Sequence, residues 1–119
     1  MADSILKIKS YQFALQIIQL VRNLQKEQKE YILSRQIMKS GTAIGALIRE
    51  AEFAQSKADF IHKMSIALKE ANETLYWISL LKDSAYIDND IFTLMNSNCN
   101  ELISLLVSTV KTLKKNLEN

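Results

Sequence analysis

No proline occurs anywhere in the 119 residues, and glycine occurs only at Gly41 and Gly45. This shortage of turn residues constrains the fold more than any motif does. Strand-rich folds reverse direction often, and their corners call for glycine, proline, Asn or Asp. A chain with so few of them, rich in Leu, Ile, Ala, Lys, Glu and Gln, suits long helices. The apolar spacing then counts those helices.

Four amphipathic segments stand out, separated by short polar breaks. The first runs from about Ser4 to Gln25. Phe13, Ile17, Leu20 and Leu24 recur at helical spacing beside Ala14, Ile18 and Val21, and make a wide core stripe. Gln12, Gln16, Gln19 and Asn23 form an uncharged polar stripe on another face. Lys26–Glu30 is the break. The second helix runs from about Tyr31 to Ala54, with Leu33, Ile37, Ile44, Leu47 and Ala51 as its core face. Its middle, Ser40-Gly41-Thr42-Ala43-Ile44-Gly45-Ala46, is small-residued. Each helical glycine costs about 1 kcal/mol relative to alanine. Close approach of another backbone is the expected compensation.

Ser56-Lys57-Ala58-Asp59 opens the third helix with a capping-box pattern. Phe60, Met64, Leu68, Ala71, Leu75 and Ile78 form its predicted seam, which closes at Leu81. After the break Asp83–Ile87, Asp88-Asn89-Asp90 supplies N-cap candidates for the fourth helix. Its apolar face is Ile91, Met95, Leu102, Leu105 and Leu106, extended by Ile103, Val110 and Leu113. The expectation is an all-α protein, an antiparallel up-down-up-down four-helix bundle in one domain spanning 1–119.

A chain of this size buries roughly two-thirds of its unfolded surface, enough for a core without disulfides or metals. Fifteen basic residues against thirteen acidic ones leave a net charge of +2. That balance permits nucleic-acid contact without arguing for it. A lone cysteine, Cys99, fits a reducing compartment. The N-terminus lacks the basic-then-apolar pattern of a signal peptide, and no apolar run approaches the ~20 residues that span a bilayer. A cytoplasmic protein without membrane contact is expected.

Catalytic motifs are missing. A di-iron bundle asks for Glu-x-x-His on two helices and a further Glu on each of the others. Neither Glu70 nor Glu73 is followed by histidine at that spacing, and the sole histidine, His62, makes one Asp-x-x-His with Asp59. Cys99 lies on the apolar stripe between Met95 and Leu102, which marks a core thiol and not the nucleophile of a Cys–His pair. Gly41-x-x-x-Gly45 lacks the Lys-Ser/Thr end and the preceding strand of a phosphate loop. No catalytic residue, metal or cofactor is assigned, and the chain is expected not to be an enzyme.

Two surfaces are more suggestive. Arg35, Lys39 and Arg49 share a side of the second helix with Thr42 and Ala46. Together with Lys111, Lys114 and Lys115 in the last turns of the fourth helix, they are the candidates for contact with RNA or DNA. The same stripe suits pairing with Glu70 and Glu73, within the chain or across a subunit interface. On the third helix, Ile66, Glu70, Glu73, Trp77 and Leu80 combine apolar, aromatic and acidic groups, a mixture that suits a subunit contact.

The blocks Arg35–Ser40, Ala43–Ala51, Asp59-Phe60, Ile66-Ala67 and Lys69–Trp77 resemble the bacterial four-helix bundle proteins of the rRNA intervening-sequence family. Many members carry Asn-Ile-x-Glu-Gly where this chain has Leu47-Ile48-Arg49-Glu50-Ala51, so it resembles a divergent branch, and any role of that Asn does not carry over. Some members are encoded inside intervening sequences of large-subunit rRNA genes. The related accessory variability determinant proteins of diversity-generating retroelements form pentameric barrels that bind nucleic acid and a reverse transcriptase. The resemblance implies a homopentamer, with RNA or DNA, or a protein such as a reverse transcriptase, as further partners. Gly41, Gly45, Glu70, Glu73 and Trp77 are then the candidate subunit contacts.

Overall fold

A computed structural model describes residues 2–118. It contains four helices, α1 (Ala2–Gln28), α2 (Leu33–Ala51), α3 (Lys57–Asp83) and α4 (Asn89–Glu118), and no strand among the described residues. The protein is all-α.

The helix ends follow from local hydrogen bonding. α1 continues past Gln25 because Lys26, Glu27 and Gln28 contain nothing that disfavours a helix. It stops at Lys29, whose φ of 55° is left-handed. The Glu30 N–H then turns back onto the Leu24 carbonyl at 3.0 Å. α2 begins at Leu33 and not at Tyr31, because the Glu30 carboxylate collects the next free N–H groups. Its oxygens accept from Ile32 at 3.1 Å, Leu33 at 3.0 Å and Ser34 at 2.7 Å. The Ser34 hydroxyl donates back to the Glu30 carbonyl at 2.8 Å. Burial pushes the Glu30 carboxyl upward, but those donors outweigh it and the group ends below its ordinary value.

α2 ends at Ala51 and not at Ala54, where tight three-residue bonds such as Phe53 N–H to the Glu50 carbonyl close the helix. Ser56 caps α3 as its sequence pattern predicts, accepting from the Asp59 N–H at 3.0 Å, while Asp59 accepts from Gln55 N–H at 3.2 Å. α3 closes in a Schellman motif. Tyr86 N–H reaches the Leu81 carbonyl at 2.8 Å, and Ala85, with φ 66°, donates to Lys82 at 3.0 Å. Asp88 caps α4 through its carboxylate, which accepts from Ile91 N–H at 2.8 Å.

The body measures 51 × 22 × 20 Å. Each helix packs against two others in the cyclic order α1, α2, α3, α4, and among the described residues no Cα atoms of a diagonal pair come within 8 Å. Between α1 and α2 the contacts join Ser10 to Gly45, Ile17 to Gly41 and Gln25 to Ser34. Between α2 and α3 they join Ser40 to Thr74 and Glu50 to Lys63. Between α3 and α4 they join Ala71 to Cys99 and Lys82 to Phe92. Between α4 and α1, Asn98 meets Gln16 and Glu101 meets Lys9. In every pair the residue numbers rise on one helix as they fall on the other.

The core seam of α3 keeps Met64, Ala71, Ile78 and Leu81 as predicted, but Ile61, Ala67 and Thr74 replace Phe60, Leu68 and Leu75 between them. Ile61, Met64, Ala67, Ala71, Thr74, Ile78 and Leu81 are buried, whereas Phe60, Leu68 and Leu75 flank the seam half-buried. In the middle of the seam the small Ala67, Ala71 and Thr74 are buried, and the bulkier Leu68 and Leu75 fill its margins. α2 behaves alike, with Ser34, Ser40 and Gly41 buried beside Ile37, Ile44, Ile48 and Ala51 while Leu33 and Leu47 flank. On α4, Met95, Cys99, Leu102, Leu106 and Val110 are buried, Ile103, Leu105 and Leu113 pack against them, and Ile91 is exposed.

Candidate interaction surfaces

The second helix carries Arg35, Lys39, Gly41, Gly45 and Arg49 of the residues that sequence alone nominates, and α1 decides what they can do. Gly45 faces the α1 backbone: a Cβ there would lie 3.4 Å from the Ser10 carbonyl oxygen. A Cβ on Gly41 would lie 2.7 Å from the Ile17 side chain. The close approach expected of the glycines is therefore met inside the chain. Gly41 is buried against α1, and Gly45 is partly covered by Ser10.

Arg35, Lys39 and Arg49 are all exposed. Fourteen residues separate Arg35 from Arg49, about 21 Å along the helix. Lys111, Lys114 and Lys115 are exposed too, but on α4, the diagonal partner of α2. The six cations thus form no single patch. Arg49 and the C-terminal lysines lie toward one end of the body, Arg35 and Lys39 toward the other.

The structure adds a feature that the sequence reading passed over. Ile8, Tyr11, Leu15 and Ile18 recur on α1 at spacings of three, four and three, on the side away from the core. Ile8 is 59% exposed, Tyr11 64% and Leu15 52%. The ridge borders a groove of about 510 Å³ lined by Ile8, Tyr11, Ala14, Thr42, Gly45, Ala46 and Arg49. Cations flank it: Lys7, ion-paired with Glu52, and Arg49 near one end, Arg22 and Arg35 near the other. The signal was present as a second apolar periodicity on α1, hidden beside the stronger core stripe.

The α3 stripe holds together as a surface on the flank facing α2. Thr74 on that flank lies 2.8 Å from the Ser40 hydroxyl of α2 and 2.8 Å from the Glu70 carbonyl. Trp77 donates its indole N–H to Glu73 at 3.3 Å and meets Tyr76 edge-on, with centroids 5.1 Å apart. Burial lifts the Glu70 carboxyl above its ordinary value, aided by the Glu73 charge and hydrogen bond; Lys69 and Lys39 oppose the rise. Lys39 therefore feels Glu70 across the α2–α3 groove, but forms no direct ion pair with it. Glu70 and Trp77 are half-buried and Glu73 is exposed.

The one thiol lies in the interior. Cys99 is buried, donates toward the Ala71 carbonyl at 3.3 Å, and has its thiol pushed by burial up to about 12. His62 is exposed and lies nine residues from Ala71 on α3, about 14 Å along the axis. The two do not form a nucleophile–base pair. Among the described residues, no three His, Cys, Asp or Glu side chains cluster, and no helix is long and apolar enough to cross a membrane.

Comparisons with known proteins identify the family. The family model for the 23S rRNA-intervening sequence protein matches residues 2–108. The chain is also similar to a crystal structure described as a protein of unknown function from the S23 ribosomal protein family of Bacteroides thetaiotaomicron. The two share 51% identity over 93% of this chain and 99% of that one, with a TM-score of 0.92. No functionally curated protein matches.

Proposed function

This chain belongs to the 23S rRNA-intervening sequence protein family, and from that premise we propose that it is a non-enzymatic, homo-oligomeric four-helix bundle that contacts RNA. Its architecture, in our reading, is an antiparallel up-down-up-down bundle in one domain, supported by the opposed numbering of every cross-helix contact. The observation that carries the oligomer is the exposed apolar ridge of α1, with its flanking cations, together with the acidic and aromatic flank of α3. Soluble monomers rarely leave contiguous apolar surface of this kind uncovered. A pentamer is the assembly the family resemblance favours. The reduced, buried Cys99 fits a cytoplasmic setting. Lys111, Lys114 and Lys115, with Lys39, are the cations left free to meet phosphates if Arg35 and Arg49 are drawn into subunit contacts.

Native mass spectrometry and RNA mobility shifts at graded salt test both halves. The expected result is an assembly larger than a dimer, with RNA affinity that falls as salt rises. Lys111→Ala/Lys114→Ala/Lys115→Ala should weaken binding evenly across RNA sequences and flatten the salt slope. A monomer that shifts no RNA at low salt would sink the reading. One observation favours a second reading, a protein-partner adaptor: the six candidate cations are spread over two diagonal helices instead of one patch. That reading predicts the same oligomer, indifferent to RNA.

A further inference from the structure

Resting on the RNA reading above, we propose that one end of the bundle, where the α2–α3 connection meets the last turns of α4, takes an unpaired segment of RNA. One base stacks on Phe53, and Lys57, Lys111, Lys114 and Lys115 hold the phosphates beside it.

Phe53 is 81% exposed, more than any other large apolar side chain among the described residues. It sits on an anchored turn, because its N–H is fixed on the Glu50 carbonyl at 3.0 Å. Its two neighbours in the chain, Glu52 and Ala54, line a groove of about 370 Å³. The buried Ala51 and half-buried Ala54, Phe60 and Leu113 give the groove an apolar floor. The exposed Lys57 and Asn116 give it a polar rim. An exposed ring therefore stands at the mouth of a shallow apolar seat.

The charge around that seat is one-sided. The nearby acids are engaged: Glu52 pairs with Lys7, Glu50 pairs with Lys63, and Asp59 accepts from the Gln55 N–H. Lys57, Lys111, Lys114 and Lys115 form no ion pair with a described side chain. On α4, Lys111 and Lys115 are one turn apart, about 6 Å along the axis, and make a short cationic track leading away from the groove. Four cations beside an apolar seat suit a polyanion that also carries flat apolar groups.

Unpaired RNA is such a molecule. Each base has two flat faces, and stacking on an aromatic side chain tolerates any base. In a duplex those faces are already stacked on their neighbours, and proteins meet chiefly the backbone and the minor groove. Other polyanions fit less well. A peptide helix docks through anchors spread over two turns or more, whereas this groove is bounded by a short connection and by helix ends. An anionic bilayer takes a broad apolar face, whereas Phe53 has the exposed polar side chains of Glu52 and Gln55 close by in the chain.

Fluorescence anisotropy decides it, with a short unstructured RNA and a blunt RNA duplex carrying the same number of phosphates. The wild type should bind the unstructured RNA more tightly than the duplex. Phe53→Ala should weaken binding of the unstructured RNA by about 5- to 100-fold without changing the salt slope, and Phe53→Trp should restore it. Lys57→Ala/Lys114→Ala should instead weaken both RNAs and flatten the salt slope. Phe53 is so exposed that its replacement should leave the fold intact, and circular dichroism checks this. RNA binding that Phe53→Ala leaves unchanged, or equal affinity for the duplex, would overturn the proposal while leaving the broader RNA reading in place. Equal affinity for polyglutamate or for phosphatidylserine vesicles would overturn it in favour of an acidic protein or a lipid surface. A wild-type chain that binds neither RNA would remove the RNA reading and this site with it.

Discussion

Glu30 shows how much structure one charged residue can organise. It sits in a run, Lys26-Glu27-Gln28-Lys29-Glu30, that reads as a solvated break, yet it is only 8% exposed. Its carboxylate satisfies three N–H groups at the start of α2, and its carbonyl holds Ser34. Removing a cap of this kind costs about 1–2 kcal/mol, so Glu30→Ala should lower the urea midpoint accordingly. Because the folded carboxyl lies below its ordinary value, its contribution is complete above the unfolded-state value and is lost as pH falls through the folded one. The wild type should therefore lose stability on acidification through the carboxylate range more steeply than Glu30→Gln does. Glu70 has the opposite sign. Its raised value means that ionisation opposes folding, and the opposition grows as pH rises from the unfolded-state value to the folded one. Glu70→Gln should melt higher than wild type at pH 7 and no higher at pH 3. Neither behaviour was legible in the sequence, where both residues are ordinary helix-compatible glutamates. The buried hydrogen bonds at Glu30 and the crowding of Glu70 by Glu73 exist only once the chain is folded.

At the scale of single elements, the number of helices was readable from turn-residue scarcity and apolar period, and the caps at Ser56 and Asp88 from short motifs. The facing sides were less readable. Apolarity alone placed Phe60, Leu68 and Leu75 at the centre of α3, but volume decides which side chains fit between helices at closest approach, and that is where Ala67, Ala71 and Thr74 lie. Gly41 and Gly45 carry the same lesson with two strengths. Gly41→Ala puts a methyl 2.7 Å from buried Ile17, and overpacking should destabilise by about 1–3 kcal/mol despite the gain in helix propensity. Gly45→Ala meets Ser10 at 3.3 Å, a looser fit, and should cost less; thermal melts of the two variants give the order. The end of α3 can be improved. Ala85 occupies a left-handed conformation that suits glycine, and Ala85→Gly should stabilise by about 0.5–1 kcal/mol in chemical denaturation.

Over the whole molecule, the basic stripe of α2 was visible in sequence but its setting was not. Spacing put Arg35 and Arg49 on one side of a helix, yet only the packing of α1 beside it shows that this side borders an apolar ridge. The scatter of the six cations across diagonal helices follows from the expected up-down-up-down order, in which the second and fourth helices are not neighbours. Cys99 offers a check on the cooperativity of the body. Buried against Ala71 at the α3–α4 contact, with its thiol held up at about 12, it should resist alkylation in the native state. Its labelling in urea should track the loss of far-ultraviolet circular dichroism; labelling well before that loss would show α3 and α4 parting on their own.

The unequal helix lengths have one more consequence. α2 has 19 residues and α4 has 30, a difference of about 16 Å. Leu113 still packs against the core, but Lys114, Lys115 and Leu117 are exposed on the last turns of α4. Those turns lean on few neighbours and should behave as a nascent segment, with amides that exchange faster than those around Cys99. A polyanion gripping these lysines would have to order the tail as it bound, spending part of its attraction on that ordering. Its arrival should be readable as a slowing of exchange confined to the final two turns, a local stiffening that leaves the rest of the body unmoved.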